Sequence, residues 1–187
     1  MEWAVPDELL SLASEILSGL GFPRVSLSTG PATDYGEWDR ACITHRLGES
    51  GPVYLYPLSF VDLELQDACK VTSTFDRTLK FLTPKPSKYM GSLLRHLLNH
   101  PLDDSFRLRV KDDLLSFICF YILREKPLNT KDGECDDDES DEDYQIRVTE
   151  ALKEMETWDW GAGRKDYLSI SESVIRDCRA IDYLTNC

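Results

Sequence analysis

The stretch Val53-Tyr54-Leu55-Tyr56-Pro57-Leu58-Ser59-Phe60-Val61-Asp62-Leu63-Glu64-Leu65 carries the strand signal of this chain on both sides of a proline. Val53 to Tyr56 is rich in β-formers, and Pro57, with no N–H for a ladder, breaks the strand or marks its edge. Beyond it the residues alternate. Val61, Leu63 and Leu65 share one face of an extended chain, and Phe60, Asp62 and Glu64 share the other. The flanking sequence is helical in pattern. Together these features predict an α+β domain, with four to five helices over a small sheet of two to four strands.

Toward the N-terminus, Pro6 suits a first helical position, with Asp7 and Glu8 at the positive end of the dipole. Leu9, Leu12, Ile16, Leu17 and Leu20 continue a helical stripe, and Gly19 and Gly21 offer the stop. Arg24 to Ser28 reads as a short strand. Residues 29–52, punctuated by glycine and proline, read as loop with a short helix around Trp38 to His45.

Toward the C-terminus, Pro84 and Pro86 mark a boundary, and Ser87 can cap a helix that turns Met90, Leu93, Leu94, Leu97 and Leu98 inward. Pro101 ends it. Asp104 or Ser105 then caps a helix reaching about Arg124, whose second half is apolar nearly all round and is expected to be central and buried. Tyr144 to Thr157 reads as helix, and Trp158 to Lys165 as a turn anchored by Trp158 and Trp160. Ser169 to Glu172 fits a capping box before a last helix. The resulting organisation is a core domain over residues 1–125, an acidic disordered linker over 126–143, and a C-terminal helical pair over 144–187 that packs on the core.

Of 187 residues, 42% are hydrophobic and 29% charged, which suits a globular domain. The net charge is −13, and residues 132–143 hold nine acids and no base, leaving only −4 elsewhere. No broad basic surface is implied, so nucleic acid is disfavoured as a partner. No apolar run approaches the ~18 residues of a membrane span, and no basic leader opens the chain, so no membrane role and a cytoplasmic or nuclear location are expected. The six cysteines form no CxxC unit and are read as thiols, with Cys119 and Cys178 on apolar faces.

Several groups could carry chemistry. Asp62 and Glu64, at i and i+2 on one strand face, could hold a divalent metal for phosphate chemistry if a third acid joined them. The commoner use of such a pair is a solvated polar face. His96 and His100 share a helix face, but the Glu of a zinc-protease helix is missing between them, so a structural role is expected. Gly161-Ala162-Gly163-Arg164-Lys165 could cradle an anion through backbone N–H groups, or be a plain turn. Ser140, ahead of Asp141, Glu142 and Asp143, sits in a pattern that acidophilic kinases phosphorylate; the alternative is a solvated linker.

Two stretches resemble minimal nucleotidyltransferase-like proteins. Ser59-Phe60-Val61-Asp62-Leu63 is similar to the later strand that carries their third metal-binding aspartate. Thr83 to Pro86, the Leu93–Leu98 helix and the cluster from Arg107 to Leu114 are similar to the part that follows. The chain also resembles uncharacterised fungal proteins that look like diverged, truncated relatives of that fold. Active members carry a glycine turn and a D-h-[DE] strand. Here the only Gly-Ser, Gly91-Ser92, falls in a predicted helix. The resemblance therefore implies a degenerate domain, with Asp62 alone carried over. The expected function is a non-catalytic interaction or accessory protein with a protein partner and no cofactor. The alternatives are a Mg²⁺-dependent nucleotide or phosphoryl transferase using Asp62 and Glu64, and an accessory protein of a fungal biosynthetic gene cluster.

Overall fold

A computed structural model describes residues 2–25, 42–48, 51–102, 105–125, 140–161 and 164–184. Among them the chain is α+β, with five α-helices and two small sheets. Strand β3 (Pro52–Pro57) is the centre of the first sheet. It pairs in parallel with β1 (Glu2–Val5) and antiparallel with β2 (Ile43–Arg46). Its inward residues Val53 and Leu55 are buried against Leu17 of α1 (Leu10–Gly19). The second sheet is a hairpin of β4 (Ala68–Thr72) and β5 (Lys80–Pro84), in register from Ala68↔Pro84 to Thr72↔Lys80.

Helices α2 (Pro86–Asn99), α3 (Ser105–Ser116), α4 (Asp141–Glu156) and α5 (Arg164–Arg176) form the larger body. Met90, Leu94, Leu97, Leu114, Val148, Met155, Val174 and Ile181 are all but inaccessible to solvent. Burial at this level stabilises by roughly 1.5–3 kcal/mol per large apolar side chain. The C-terminal helices share this core with α2 and α3. Arg107, also buried, ties the body together by donating to the carbonyls of Leu97, His100 and Leu184.

Several expectations are corrected. The strand does not run to Leu65. It ends at Pro57, Leu58–Val61 forms a 3-10 turn, and Asp62 closes it in the left-handed region at φ 52°. Aspartate tolerates that conformation better than most residues. Asp62 and Glu64 therefore share no strand face.

His45 ends no helix but lies in β2, whereas residues 38–41 lie outside the described residues. Of the Arg24–Ser28 strand, Arg24 makes one bridge to His45 and the Val25 N–H donates to Thr44 O at 2.9 Å; residues 26–28 lie outside the described residues. The sequence pattern does not announce the hairpin, because most of its strand residues are exposed and leave no period-2 signal.

Helix α1 turns Leu12 and Ile16 outward, and Leu20 at its C-cap is exposed as well (51–66% for the three); Leu17 of the expected stripe is buried, beside Ser14. Helix α2 is capped by Lys85 with Pro86 in its first turn, and the Ser87 hydroxyl donates to Asp159 O at 2.8 Å. Leu93, Leu94 and Leu97 are buried as expected, with Leu98 only half-buried.

Beyond α3, residues Phe117–Ile122 form a π-helix that buries Ile118 and Ile122 in the main core, as expected, but leaves Phe120 and Tyr121 exposed on its other side. Helix α4 begins at Asp141, inside the expected linker; residues 126–139 lie outside the described residues. Ser169–Glu172 lies inside α5 and caps nothing; the Ser171 hydroxyl donates back to Tyr167 O at 2.6 Å. Cys42, Cys69 and Cys119 are half-buried thiols, and the side chain of Cys178 lies outside the description.

Candidate functional site

The residues after β3 build one wall of a cleft of about 940 Å³. Trp3 to Pro6 of β1 and its exit form a second wall, Lys80 to Pro84 of β5 a third, and one face of α2 (Tyr89, Ser92, Leu93, His96) a fourth. The Ser92 hydroxyl donates to Val61 O and holds the turn against α2. Tyr56 and Phe60 stack with ring centroids 5.8 Å apart, which gives the cleft an aromatic side. Trp3, Leu65, Phe81 and Leu82 line it while each remains at least 46% exposed. A contiguous apolar surface of this kind marks a binding region more often than a bare surface does.

Asp62, Glu64, Asp67 and Arg95 of the cleft are engaged by neighbouring groups. Arg95 of α2 forms an ion pair with Asp62 through Nε and donates from a terminal nitrogen to Asp62 O at 2.9 Å. Burial alone would lower the Arg95 pKa. The Asp62 carboxylate and the Tyr167 hydroxyl outweigh it and hold the guanidinium above its ordinary value. The same guanidinium lies 5.8 Å from the Tyr167 ring centroid.

Glu64 and Asp67 form a reciprocal capping box around the 3-10 turn Leu65–Asp67, with Glu64 N–H donating to Asp67 Oδ2 at 3.0 Å. The Gln66 amide donates to the Glu64 carboxylate. His96 and His100 stack with centroids 3.9 Å apart at the end of α2, where the cleft also reaches Asn99 and Asp113.

The structure thus brings Asp62 and Glu64 into one cleft, where Asp62 pairs with Arg95 and Glu64 accepts from Gln66. Among the described residues no three His, Cys, Asp or Glu side chains are grouped to hold a metal. The donor set does not fit the Mg²⁺ site that the nucleotidyltransferase-like resemblance implies, because its one carried-over aspartate faces a guanidinium. The basic–acidic cluster that carries the rest of the resemblance has structural duties: Arg107 is buried on carbonyls, and Lys111 pairs with Asp182.

Ser140 is the N-cap of α4, its oxygen accepting from the Asp143 N–H at 3.1 Å. Gly161 sits in a turn at φ 69° and donates to Asp159 Oδ1 at 3.1 Å. The Asp159 carboxyl lies below its ordinary pKa because of that N–H and the nearby Lys88. Trp160 is buried, with its indole N–H on Met155 O at 2.9 Å.

One arrangement escaped the sequence. His45 is fully buried, with Nδ1 2.7 Å from Phe22 O and Nε2 2.8 Å from the Ser14 hydroxyl. A carbonyl only accepts, so Nδ1 carries a proton, and in the neutral imidazole Nε2 then accepts from the Ser14 hydroxyl. The geometry is that of a nucleophile, a base and an orienting group. Neither side chain borders the cleft, however, and Ser14 is itself buried. The contact pins α1 to β2. No local signature links residues 31 positions apart, so only the fold reveals it.

No helix among the described residues is long and apolar enough to cross a membrane. No family model, curated protein or solved structure matches the chain.

Proposed function

We propose that this chain is a non-catalytic interaction protein that holds an apolar segment of a protein partner in the cleft between β1, β5 and α2. The observation that carries this reading is the composition of the cleft. Aromatic and aliphatic side chains form its surface and remain exposed at Trp3, Leu65, Phe81 and Leu82. Asp62 and Glu64, the carboxylates that phosphate chemistry would use, are engaged by Arg95 and by a local turn. Recognition of this kind buries apolar side chains in a preformed groove, with a few polar groups setting register.

The test has two arms. A photo-reactive side chain placed at Leu82 is expected to cross-link a protein in cells, whereas the same group at the exposed Ile146 of α4 is not. The purified chain, given ATP or GTP with Mg²⁺ or Mn²⁺, is expected to turn neither over. Turnover abolished by Asp62→Ala would replace this reading with a transferase.

A further inference from the structure

Helix α1 carries a second surface, apart from the cleft. Leu9, Leu12, Ile16 and Leu20 run from the 3-10 turn Asp7–Leu9 through α1 to its C-cap, and are 44, 51, 54 and 66% exposed. None of them belongs to either apolar cluster, and none lines the cleft. At 3.6 residues per turn they fall within a strip roughly 80° wide and about 16 Å long. Such a strip is narrower than the apolar face by which a helix packs on a globular core, and it matches the seam that one helix presents to another. In heptad terms Leu9 and Ile16 stand at a positions and Leu12 at d. The other side of α1 is held to the sheet, where Leu17 packs with Val53 and Leu55, and Ser14 meets His45.

The charges beside the strip are of one sign. Glu8 and Glu15 each precede an a residue, Leu9 and Ile16, which places both at g positions along one border. Both are exposed, and among the described residues neither carboxylate forms an ion pair or a hydrogen bond. They differ in this from Asp62, Glu64 and Asp67 of the cleft, which are engaged. Residues 9–20 contain no lysine or arginine, and the e positions of the opposite border hold Ala13 and Leu20. A second α1 laid antiparallel would set its own glutamates against Glu8 and Glu15. Laid parallel, it would offer them only Ala13 and Leu20. Charge therefore disfavours a second copy and favours a helix bordered by cations.

We infer that α1 docks an amphipathic helix of a partner protein. The apolar seam of that helix covers Leu9, Leu12, Ile16 and Leu20, and its bordering lysines or arginines pair with Glu8 and Glu15. This is recognition of a helix by its apolar face, in which anchors at helical spacing supply affinity and border charges select the partner. The directed bonds of Ser14 and His45 fit this role, because they fix α1 from behind and leave its aliphatic side chains outward. The surface is separate from the cleft, and neither reading depends on the other.

The experiment uses two synthetic, fluorescein-labelled peptides of three heptads, with leucine at every a and d position. One has lysine at e and g, the other glutamate. The anisotropy of each is followed against the full chain at physiological salt. The lysine peptide is expected to bind at least tenfold more tightly than the glutamate peptide. Leu12→Gln combined with Ile16→Gln should weaken it at least tenfold, whereas Leu82→Gln in the cleft should leave it unchanged. Glu8→Lys combined with Glu15→Lys should weaken the lysine peptide and strengthen the glutamate peptide, each several-fold. The same change of charge at Glu142 and Glu150 of α4 should do neither. All of these side chains are exposed, so the variants keep the fold.

Failure of both peptides to bind overturns helix docking on α1. So does equal binding of the two, binding that survives the loss of Leu12 and Ile16, binding lost through Leu82→Gln, or an equal response to the charge changes on α4. A photo-reactive side chain at Ile16 then reports what covers the strip. Labelling of the added lysine peptide supports the inference. Labelling within the same chain, or of a second copy, means that the strip already has an occupant and overturns it. The Leu82 cross-link is read separately, so the cleft reading and this one fail independently.

Discussion

The molecule has two apolar clusters of very different depth. Among the described residues, the helical body gathers seventeen buried residues, drawn from α2 through the 3-10 helix Cys178–Tyr183 together with Tyr56. The N-terminal sheet and α1 gather three: Leu17, Val53 and Leu55. Helices α1 and α2 carry comparable stripes in sequence, yet α2 buries its stripe and α1 exposes most of it. The small cluster is instead held by polar contacts at defined positions. His45 joins α1, β2 and the Phe22 carbonyl, and the Ser59 N–H donates to Asp7 Oδ1 at 3.1 Å to join the 3-10 turn Asp7–Leu9 ahead of α1 to the exit of β3. A deep core is held by the apolar area it buries, whereas a shallow one depends more on a few directed bonds.

The comparison breaks first in the deep core. Leu94→Ala, at a site with no solvent exposure, should cost about 2–5 kcal/mol and lower the denaturation midpoint of the whole chain. His45→Ala strands the Phe22 carbonyl and the Ser14 hydroxyl. It should cost about 1–3 kcal/mol, with amide exchange accelerating in α1 and β2 before the helical body responds.

A smaller effect is expected at Asp7, whose pKa is held below the usual carboxylate value chiefly by hydrogen bonds from Ser59. Its ionised form then stabilises the fold fully above the unfolded carboxylate pKa of about 3.9 and ceases to do so as pH falls through the lower folded value. Acid titrations of stability should accordingly be shallower below about pH 4 in Asp7→Asn than in the parent. The smallest change is expected at Ile16→Gln, where the side chain is already 54% exposed. Its denaturation midpoint should correspond to a shift within about 0.5 kcal/mol. A loss as large as that at Leu94 would show that the α1 stripe is covered in solution.

How far the sequence predicted the structure follows the same division. Helix α2 was legible because its inward residues keep a helical period and a proline opens it. The α+β class was legible from one strand among helical patterns. Strand β1 was not, because four residues ahead of Pro6 carry too little pattern to outweigh a proline that suits a helix start. The alternation of Phe60 to Leu65 misled because period-2 patterning reports burial only when the chain is extended, and Asp62 leaves the extended region. Of the cleft, Asp62 and Glu64 were named for a chemistry their partners do not favour. Its strand walls come from residues about 75 positions apart, and no local window contains both.

Arg107 reaches across the chain in a way that bears on proteolysis. It is buried at 5% exposure, and one of its nitrogens donates to Leu184 O at 2.7 Å while another holds His100 O at 2.9 Å. Clipping the polypeptide ahead of Leu184 would leave an interior cation with one acceptor fewer, and charge stranded in that way is costly. Its pull on the end of α2 would change with it, and that end carries His96, Asn99 and His100 into the cleft. Cleavage there would therefore alter a cleft whose lining residues all lie more than seventy positions upstream.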